Sequence, residues 1–403
     1  KSMTKINTDK QKIQELLNRG TIVEVLPKKN DFAKKLLSGE KLRFYIGFDA
    51  TAPTLHLSHA KNFILLEKFR QLGHEVIVLF GDFTARIGDP TGESKTRDQL
   101  TRKDVLANVK KWKELIKPLM AFNDKKNPPK IMYNDDWLAK LNMEDLINLA
   151  SNFTVQQTIE RDMFQKRLKA NKPIGLHEFL YPMMQGYDSV AMDVDVEICG
   201  TDQIFNALAG RTLQRKLNNR EKFVVAVTLM ENPKTGELMS KSKGTGVFLD
   251  TSANDMYGQI MSQPDEMIEI LFTHNTYLAL DEIKQIMKAD NPKDAKVRLA
   301  LEIVTIFHGE KKAKAAAENF VNIFAKKGTP DDIAEIKISN KTISPIDLLV
   351  ELKFVSSKGE ARRLIDGNGM KINNVKVANW KDDISLKSGD IVQTGKRKFA
   401  KVK

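Results

Sequence analysis

Two histidines, His56 and His59, stand three apart in the run Tyr45-Ile46-Gly47-Phe48-Asp49-Ala50-Thr51-Ala52-Pro53-Thr54-Leu55-His56-Leu57-Ser58-His59. That spacing puts both rings on one face where a turn of small residues enters a helix. A helix N-terminus offers free N–H groups and a positive partial charge, so imidazoles there suit a phosphate chain. Zinc lacks further ligands at usable spacing, since the other four histidines are scattered singly. Two unrelated surface histidines are the plain alternative. Far downstream, Leu238-Met239-Ser240-Lys241-Ser242-Lys243-Gly244-Thr245-Gly246 joins lysine, hydroxyls and glycines in one run. Such a loop can close over a triphosphate and neutralise charge as pyrophosphate departs, though a charged glycine loop alone is usually a turn. A third set is Tyr181, Gln185 and Asp188, at i, i+4 and i+7. Three polar groups on one helical stripe, among apolar neighbours, suggest a pocket; a solvated face is the alternative.

The elements that would hold these residues are readable around them. Residues 43–48 and 75–81 are β-branched and aromatic runs ending near glycine, and 60–72 between them has helical periodicity, stopped by Gly73. A strand–helix–strand unit of this kind packs on a parallel sheet. Residues 194–198 and 223–229 read as further strands, with a helix from 202 to about 217 between them. The expected first domain, 1–250, is Rossmann-like doubly wound α/β with a helical insertion at about 100–190. Ligands of such sheets bind at the carboxyl ends of the strands, where the histidine and lysine motifs fall. Helical periodicity dominates 251–326, residues 327–343 read as a linker, and 344–403 as a small α+β module.

Composition bounds the function. The chain has 403 residues, 41% of them hydrophobic and 29% charged, enough for two or three cores. The single cysteine, Cys199, excludes an internal disulfide framework and fits a reducing compartment. No apolar run approaches the roughly 18 residues that span a bilayer, so a cytoplasmic protein with no membrane partner is expected. The net charge is +13, and residues 341–403 hold 14 Lys and Arg against 7 Asp and Glu. A basic terminal module is the footprint of a phosphate-rich partner, or a lysine-rich surface with no such role.

Together the two catalytic-type motifs resemble the His-Ile-Gly-His and Lys-Met-Ser-Lys-Ser signatures of class I aminoacyl-tRNA synthetases. Gly81-Asp82-Phe83-Thr84-Ala85-Arg86-Ile87-Gly88-Asp89-Pro90-Thr91-Gly92, Tyr181-Pro182-Met183-Met184-Gln185-Gly186-Tyr187-Asp188 and Gly200-Thr201-Asp202-Gln203 extend the likeness to bacterial-type tyrosyl-tRNA synthetases. It runs in order from about Arg43 to the C-terminus, where the tail resembles S4-type RNA-binding domains. Three positions depart from the pattern: Ser58 replaces a glycine, Leu238 a lysine, and Glu93 a basic residue.

The resemblance implies a tyrosine–tRNA ligase, which activates tyrosine with Mg-ATP and passes it to the terminal adenosine of tRNA(Tyr), with no metal bound by the protein itself. It implies that Tyr45 and Asp188 take the phenol, Asp89, Tyr181 and Gln185 the ammonium, and Gln203 the carboxylate. Gly47, Gly200 and Asp202 would meet the ribose, the backbone of Asp49 the α-phosphate, and Thr51, His56, His59, Arg97, Met239 and Lys241 the ATP and its leaving phosphates. Lys358, Arg362 and Arg363 would face RNA. Family members are homodimers, and the region near 130–190 is the expected interface. Rival readings are a tryptophan-activating relative and a catalytically silent RNA-binding relative.

Overall fold

The computed structural model describes residues 5–90, 100–239, 245–288, 291–324, 333–338, 342–395 and 398–403. Six strands form the principal sheet: β1 (Ile22–Leu26), β2 (Arg43–Phe48), β3 (Glu75–Phe80), β4 (Lys130–Tyr133), β5 (Val196–Gly200) and β6 (Phe223–Val227). Their order is β1-β6-β5-β2-β3-β4, parallel except for the antiparallel edge pair β1 and β6. Going along the chain, β2, β3 and β4 are laid down in one direction, and β5 and β6 then add on the other side of β2. The order therefore reverses between β2 and β5, which makes their carboxyl ends the switch point of the sheet.

The doubly wound α/β architecture matches the sequence reading, with two additions. Strand β4 lies inside the stretch expected to be helical; at four residues it is too short for periodicity to declare it. Strand β1 is the second, outside every expected element. The expected strand at 194–198 is displaced to Val196–Gly200, and the expected helix from 202 begins at Ile204, after a short 3₁₀ turn over Thr201–Gln203. Asp202 therefore lies in that turn, ahead of the helix.

The inner strands β3, β5 and β6 are buried on both faces, as their near-continuous apolar runs require. Phe44 of β2 stacks on Phe69 of the helix Leu57–Gln71 with centroids 4.3 Å apart, and Phe32 packs edge-on to both. Each such ring stabilises the core by about 1.5–3 kcal/mol. Among the described residues, no helix is long and apolar enough to cross a membrane.

The chain divides into two compact units, Lys1–Thr251 with Gln263–Phe307, and Ser252–Ser262 with His308–Lys403. In the first, helix Ile268–Asn275 is tied to the sheet unit: Asn275 Nδ2 donates to the Leu57 carbonyl at 2.8 Å, and the Thr21 hydroxyl meets His274 Nδ1 at 3.0 Å. In the second unit, β7 (Glu335–Ile336), β8 (Thr342–Ile343), β9 (Met370–Ile372), β10 (Val375–Lys376), β11 (Ile384–Ser385), β12 (Ile391–Thr394) and β13 (Lys398–Val402) follow. Five of them form the sheet β10-β9-β12-β13-β7, and β11 pairs with β8. Two of these strands, β7 and β8, fall in the stretch read as linker. That stretch is therefore partly folded: Glu335 and Ile336 pair with Lys401 and Val402, a register no local pattern reveals.

Candidate active site

Four sequence-predicted residues sit at the switch point. Gly47, in central strand β2, and Asp49 just beyond it lie at one carboxyl end; Gly200 ends β5, and Asp202 follows in the turn. Gly47 is exposed although the three strand residues before it, Phe44 to Ile46, are buried. The floor of the site is thus open where the sheet itself is covered.

His56 is the N-cap of the helix Leu57–Gln71 and His59 its third residue. His59 Nδ1 accepts from the His56 backbone N–H at 3.3 Å, and the two rings stand edge to face with centroids 4.1 Å apart. Burial holds both below the usual histidine range, His56 at about 4 and His59 at about 3, with the Lys61 ammonium adding to burial in each case. Both rings are therefore neutral at pH 7. His56 Nδ1 is buried with no hydrogen-bond partner among the described residues, an unmet valence of the kind a ligand would satisfy.

The loop from Asp49 to His56 is held by two residues that spacing did not reveal. Asn108 Nδ2 donates to the Ala50 carbonyl at 2.8 Å and Trp112 Nε1 to the Ala52 carbonyl at 2.7 Å, both from the helix Arg102–Ile116. Thr51 is exposed at the loop's crest. Of the segments flanking the lysine loop, the downstream one is anchored beside the histidines, where the Leu57 N–H donates to the Val247 carbonyl, while upstream the buried Met239 donates its N–H to the Met230 carbonyl. Lys241 and Arg97 lie outside the described residues.

The helix Tyr181–Ala191 starts with proline in its first turn, a residue with fixed φ and no N–H to leave unbonded. Its predicted stripe does face inward. Tyr181 donates its hydroxyl to Asp49 Oδ2 at 2.8 Å, and Gln185 Nε2 donates to Glu197 Oε1 at 2.9 Å. Asp188 is 2% exposed and accepts from Trp137 Nε1 at 2.8 Å and Asn134 Nδ2 at 3.3 Å. Burial, only partly offset by those donors, raises its carboxyl well above the ordinary carboxylate range. Tyr45 is fully buried, with its hydroxyl 3.1 Å from Ser189 Oγ. Burial, followed by the Glu197 and Asp188 charges, keeps that phenol protonated.

A continuous network joins this end to the loop. Asn134 donates to Thr84 Oγ1 at 3.1 Å, and Thr84 donates to Asp49 Oδ1 at 2.7 Å. Gly81 makes the last contact possible, because a Cβ there would lie 2.0 Å from Asp49 Oδ1. Burial moves the Asp49 carboxyl up to about 7 against the pull of its Thr84 and Tyr181 hydrogen bonds. Asp89 accepts from Gln203 Nε2 at 2.7 Å, which brings those two predicted residues together. Sequence reasoning missed Thr84, Asn134, Trp137, Ser189 and Glu197, since none stands at a telling spacing.

The tail residues are elsewhere, on the helix Lys358–Asp366 of the second unit. Lys358, Arg362 and Arg363 are all exposed. Lys358 is ion-paired with Asp347 at 2.7 Å, and the Arg362 guanidinium lies 3.9 Å from the Trp380 ring centroid. No group of three or more His, Cys, Asp and Glu able to hold a metal occurs among the described residues.

Residues 37–325 match the family described as tRNA synthetases class I (W and Y), and residues 325–402 match the Tyrosine--tRNA ligase SYY-like C-terminal domain. The tyrosine–tRNA ligase of Haemophilus influenzae is 40% identical over 405 residues, covering 100% of this chain and 98% of its own. That of Moorella thermoacetica is 38% identical over 395 residues, covering 96% and 94%. Among solved structures, a C-terminally truncated mitochondrial tyrosyl-tRNA synthetase of Aspergillus nidulans aligns at TM-score 0.67 and 23% identity, over 78% of this chain and 94% of that one. The tyrosyl-tRNA synthetase of Archaeoglobus fulgidus complexed with L-tyrosine aligns at 0.59 and 16%, over 76% and 99%. At these identities the structural likeness concerns the fold.

Proposed function

The chain belongs to the class I tRNA synthetases of the W and Y family, and from that premise we propose that it is a tyrosine–tRNA ligase with the cleft above as its active site. The observation that carries this reading is the hydrogen-bonded chain from buried Asp188 through Asn134 and Thr84 to Asp49, where the loop begins that ends at His56 and His59 on a helix N-terminus. In the first step a tyrosine carboxylate oxygen attacks the α-phosphorus of Mg-ATP. The bond to the bridging oxygen breaks, and pyrophosphate leaves with its electrons. The carboxylate is already ionised at pH 7, so no general base is needed, and rate must come from positioning and charge stabilisation. In the second step the tyrosyl group passes to a ribose hydroxyl of the terminal adenosine of tRNA(Tyr), releasing AMP.

In this reading Asp188 and Tyr45 take the substrate's phenol, and Asp89, Tyr181 and Gln185 its ammonium. Gln203 meets the carboxylate. Gly47, Gly200 and Asp202 bind the ribose, and the Asp49 backbone approaches the α-phosphate. Thr51, His56, His59, Arg97, Met239 and Lys241 serve ATP and the departing phosphates. His56 Nδ1 gains there the partner it lacks. The exposed cations Lys358, Arg362 and Arg363 contact the tRNA backbone, and the protein works in the cytoplasm with its substrate RNA.

The protein acts as a homodimer through the apolar ground around Leu138, Leu141, Met143, Leu146 and Leu180, which line a cavity of about 420 Å³. Nearby Met143, Ile147 and Leu176 are 72%, 60% and 80% exposed, apolar side chains that a partner subunit would cover. Ile147→Glu should shift the protein to monomer in analytical ultracentrifugation. For the activity, ATP–pyrophosphate exchange should depend on tyrosine and not on tryptophan or phenylalanine. Exchange with tryptophan alone would assign the chain to the other branch, and no exchange with any amino acid would mark a silent relative.

A further inference from the structure

Lys222 and Glu197 form an ion pair buried to 0% and 2% exposure, and the roles above use neither. The sheet register brings them together. Tyr45 of β2 pairs with Glu197 of β5, and Glu197 with Val224 of β6. Lys222, two residues before Val224, shares its face by alternation. The Lys222 ammonium hydrogen-bonds to Glu197 Oε2 and, at 2.8 Å, to Ser189 Oγ. Ser189 Oγ reaches the Tyr45 hydroxyl, and Glu197 Oε1 accepts from Gln185. The pair is thus bonded to two side chains assigned to tyrosine. Room is kept for the ammonium, because a Cβ on Gly210 would lie 2.4 Å from Nζ and 2.6 Å from Ser189 Oγ.

Stability is a poor reason for such a pair. Desolvating two ions is costly, and apolar residues of similar volume commonly serve a core as well. A fully bonded polar array instead fixes one arrangement of its members. We propose that Lys222, through Glu197 and Ser189, is a positioning residue for tyrosine selectivity, holding the Tyr45 hydroxyl and the Gln185 carboxamide where the substrate's phenol and ammonium meet them. An ammonium only donates, so it occupies a lone pair of Ser189 and restricts how that hydroxyl can face Tyr45. This inference rests on the reading of the tyrosine pocket given above.

The test uses the full chain in pyrophosphate exchange, with KM for tyrosine, KM for ATP and the tyrosine/phenylalanine ratio of kcat/KM. Lys222→Met with Glu197→Gln removes both charges, keeps the volumes and leaves an amide oxygen for Gln185. It should raise the tyrosine KM and lower the ratio roughly tenfold each, the scale of one hydrogen bond to a buried polar group, with the ATP KM unchanged. Ser189→Ala keeps the Lys222–Glu197 pair and removes the hydroxyl that stands between Lys222 and Tyr45, so it probes the same positioning if the double variant does not fold. Tyr45→Phe, the reference, should also lower the ratio. A lower melting temperature with unchanged tyrosine KM and ratio, while Tyr45→Phe lowers the ratio, overturns the inference and leaves the pocket intact. Should Tyr45→Phe also leave the ratio unchanged, the pocket reading fails and this inference with it.

Discussion

At the end of the cleft that we assign to tyrosine, Asp188, Tyr45 and Gln185 are each bonded to protein partners. At the phosphate end, Thr51 is exposed, and His56 Nδ1 has no partner among the described residues. On the function proposed above, the two ends perform different tasks. Distinguishing tyrosine from phenylalanine turns on one hydroxyl, so its acceptors must be fixed before the substrate arrives; otherwise a buried group could relax to suit the wrong one. Charge on pyrophosphate develops only during reaction, so groups acting there contribute most when they engage late. Thr84 and Asn134 link the ends physically, from Asp49 to Asp188.

The sharpest way to break this contrast is Lys241→Ala. It should lower kcat for adenylate formation by about 10²–10³, as loss of a transition-state donor does, and leave the tyrosine KM unchanged. An equal rise in tyrosine KM with normal turnover would erase the distinction between the ends.

Asp188→Asn should act in the opposite sense, lowering kcat/KM for tyrosine by roughly tenfold, the scale of one hydrogen bond to a buried polar group. The cause is geometric as well as electrostatic. Asp188 accepts from both Trp137 and Asn134, and an asparagine amide would set its NH₂ against one of those donors. Steady-state exchange at varied tyrosine, with ATP saturating, measures it; an unchanged value would remove Asp188 from the pocket.

Asp49, where the network ends, gives a pH test. Its folded value of about 7 exceeds its unfolded 3.8, so the folded protein binds the proton more tightly. Its contribution to stability is full below pH 4 and is lost as pH rises through 7. Asp49→Asn should therefore be more stable than the parent at pH 8, by about 2 kcal/mol once lost hydrogen bonds and solvent access are discounted. That gap should close between pH 7 and pH 4. Denaturant titrations at three pH values would show it, and a gap independent of pH would refute the buried-carboxyl account.

The smallest effect belongs away from both ends. Arg362→Ala should weaken tRNA binding with a salt slope reduced by about one and leave tyrosine-dependent exchange untouched. A change in exchange would mean that the tail bears on the cleft.

Local pattern determined much of this protein. Strands β2 and β3 with the helix between them, the histidines at i and i+3, and the inward stripe of Tyr181, Gln185 and Asp188 follow from side-chain periodicity, which is a property of neighbours in the chain. What periodicity could not carry is pairing between distant segments. Strand β4 and the Asn134 and Trp137 donors come from a stretch whose short strand is overshadowed by helical pattern. Strands β7 and β8 appear only when partners over 40 residues away complete them. Lys222 and Glu197, 25 residues apart, read as ordinary surface charges until the register of β5 against β6 buries them together. Such register is set by which faces the whole fold can cover. The residue types that could do the chemistry were therefore fixed locally, and the partners that hold them in place were chosen by tertiary packing.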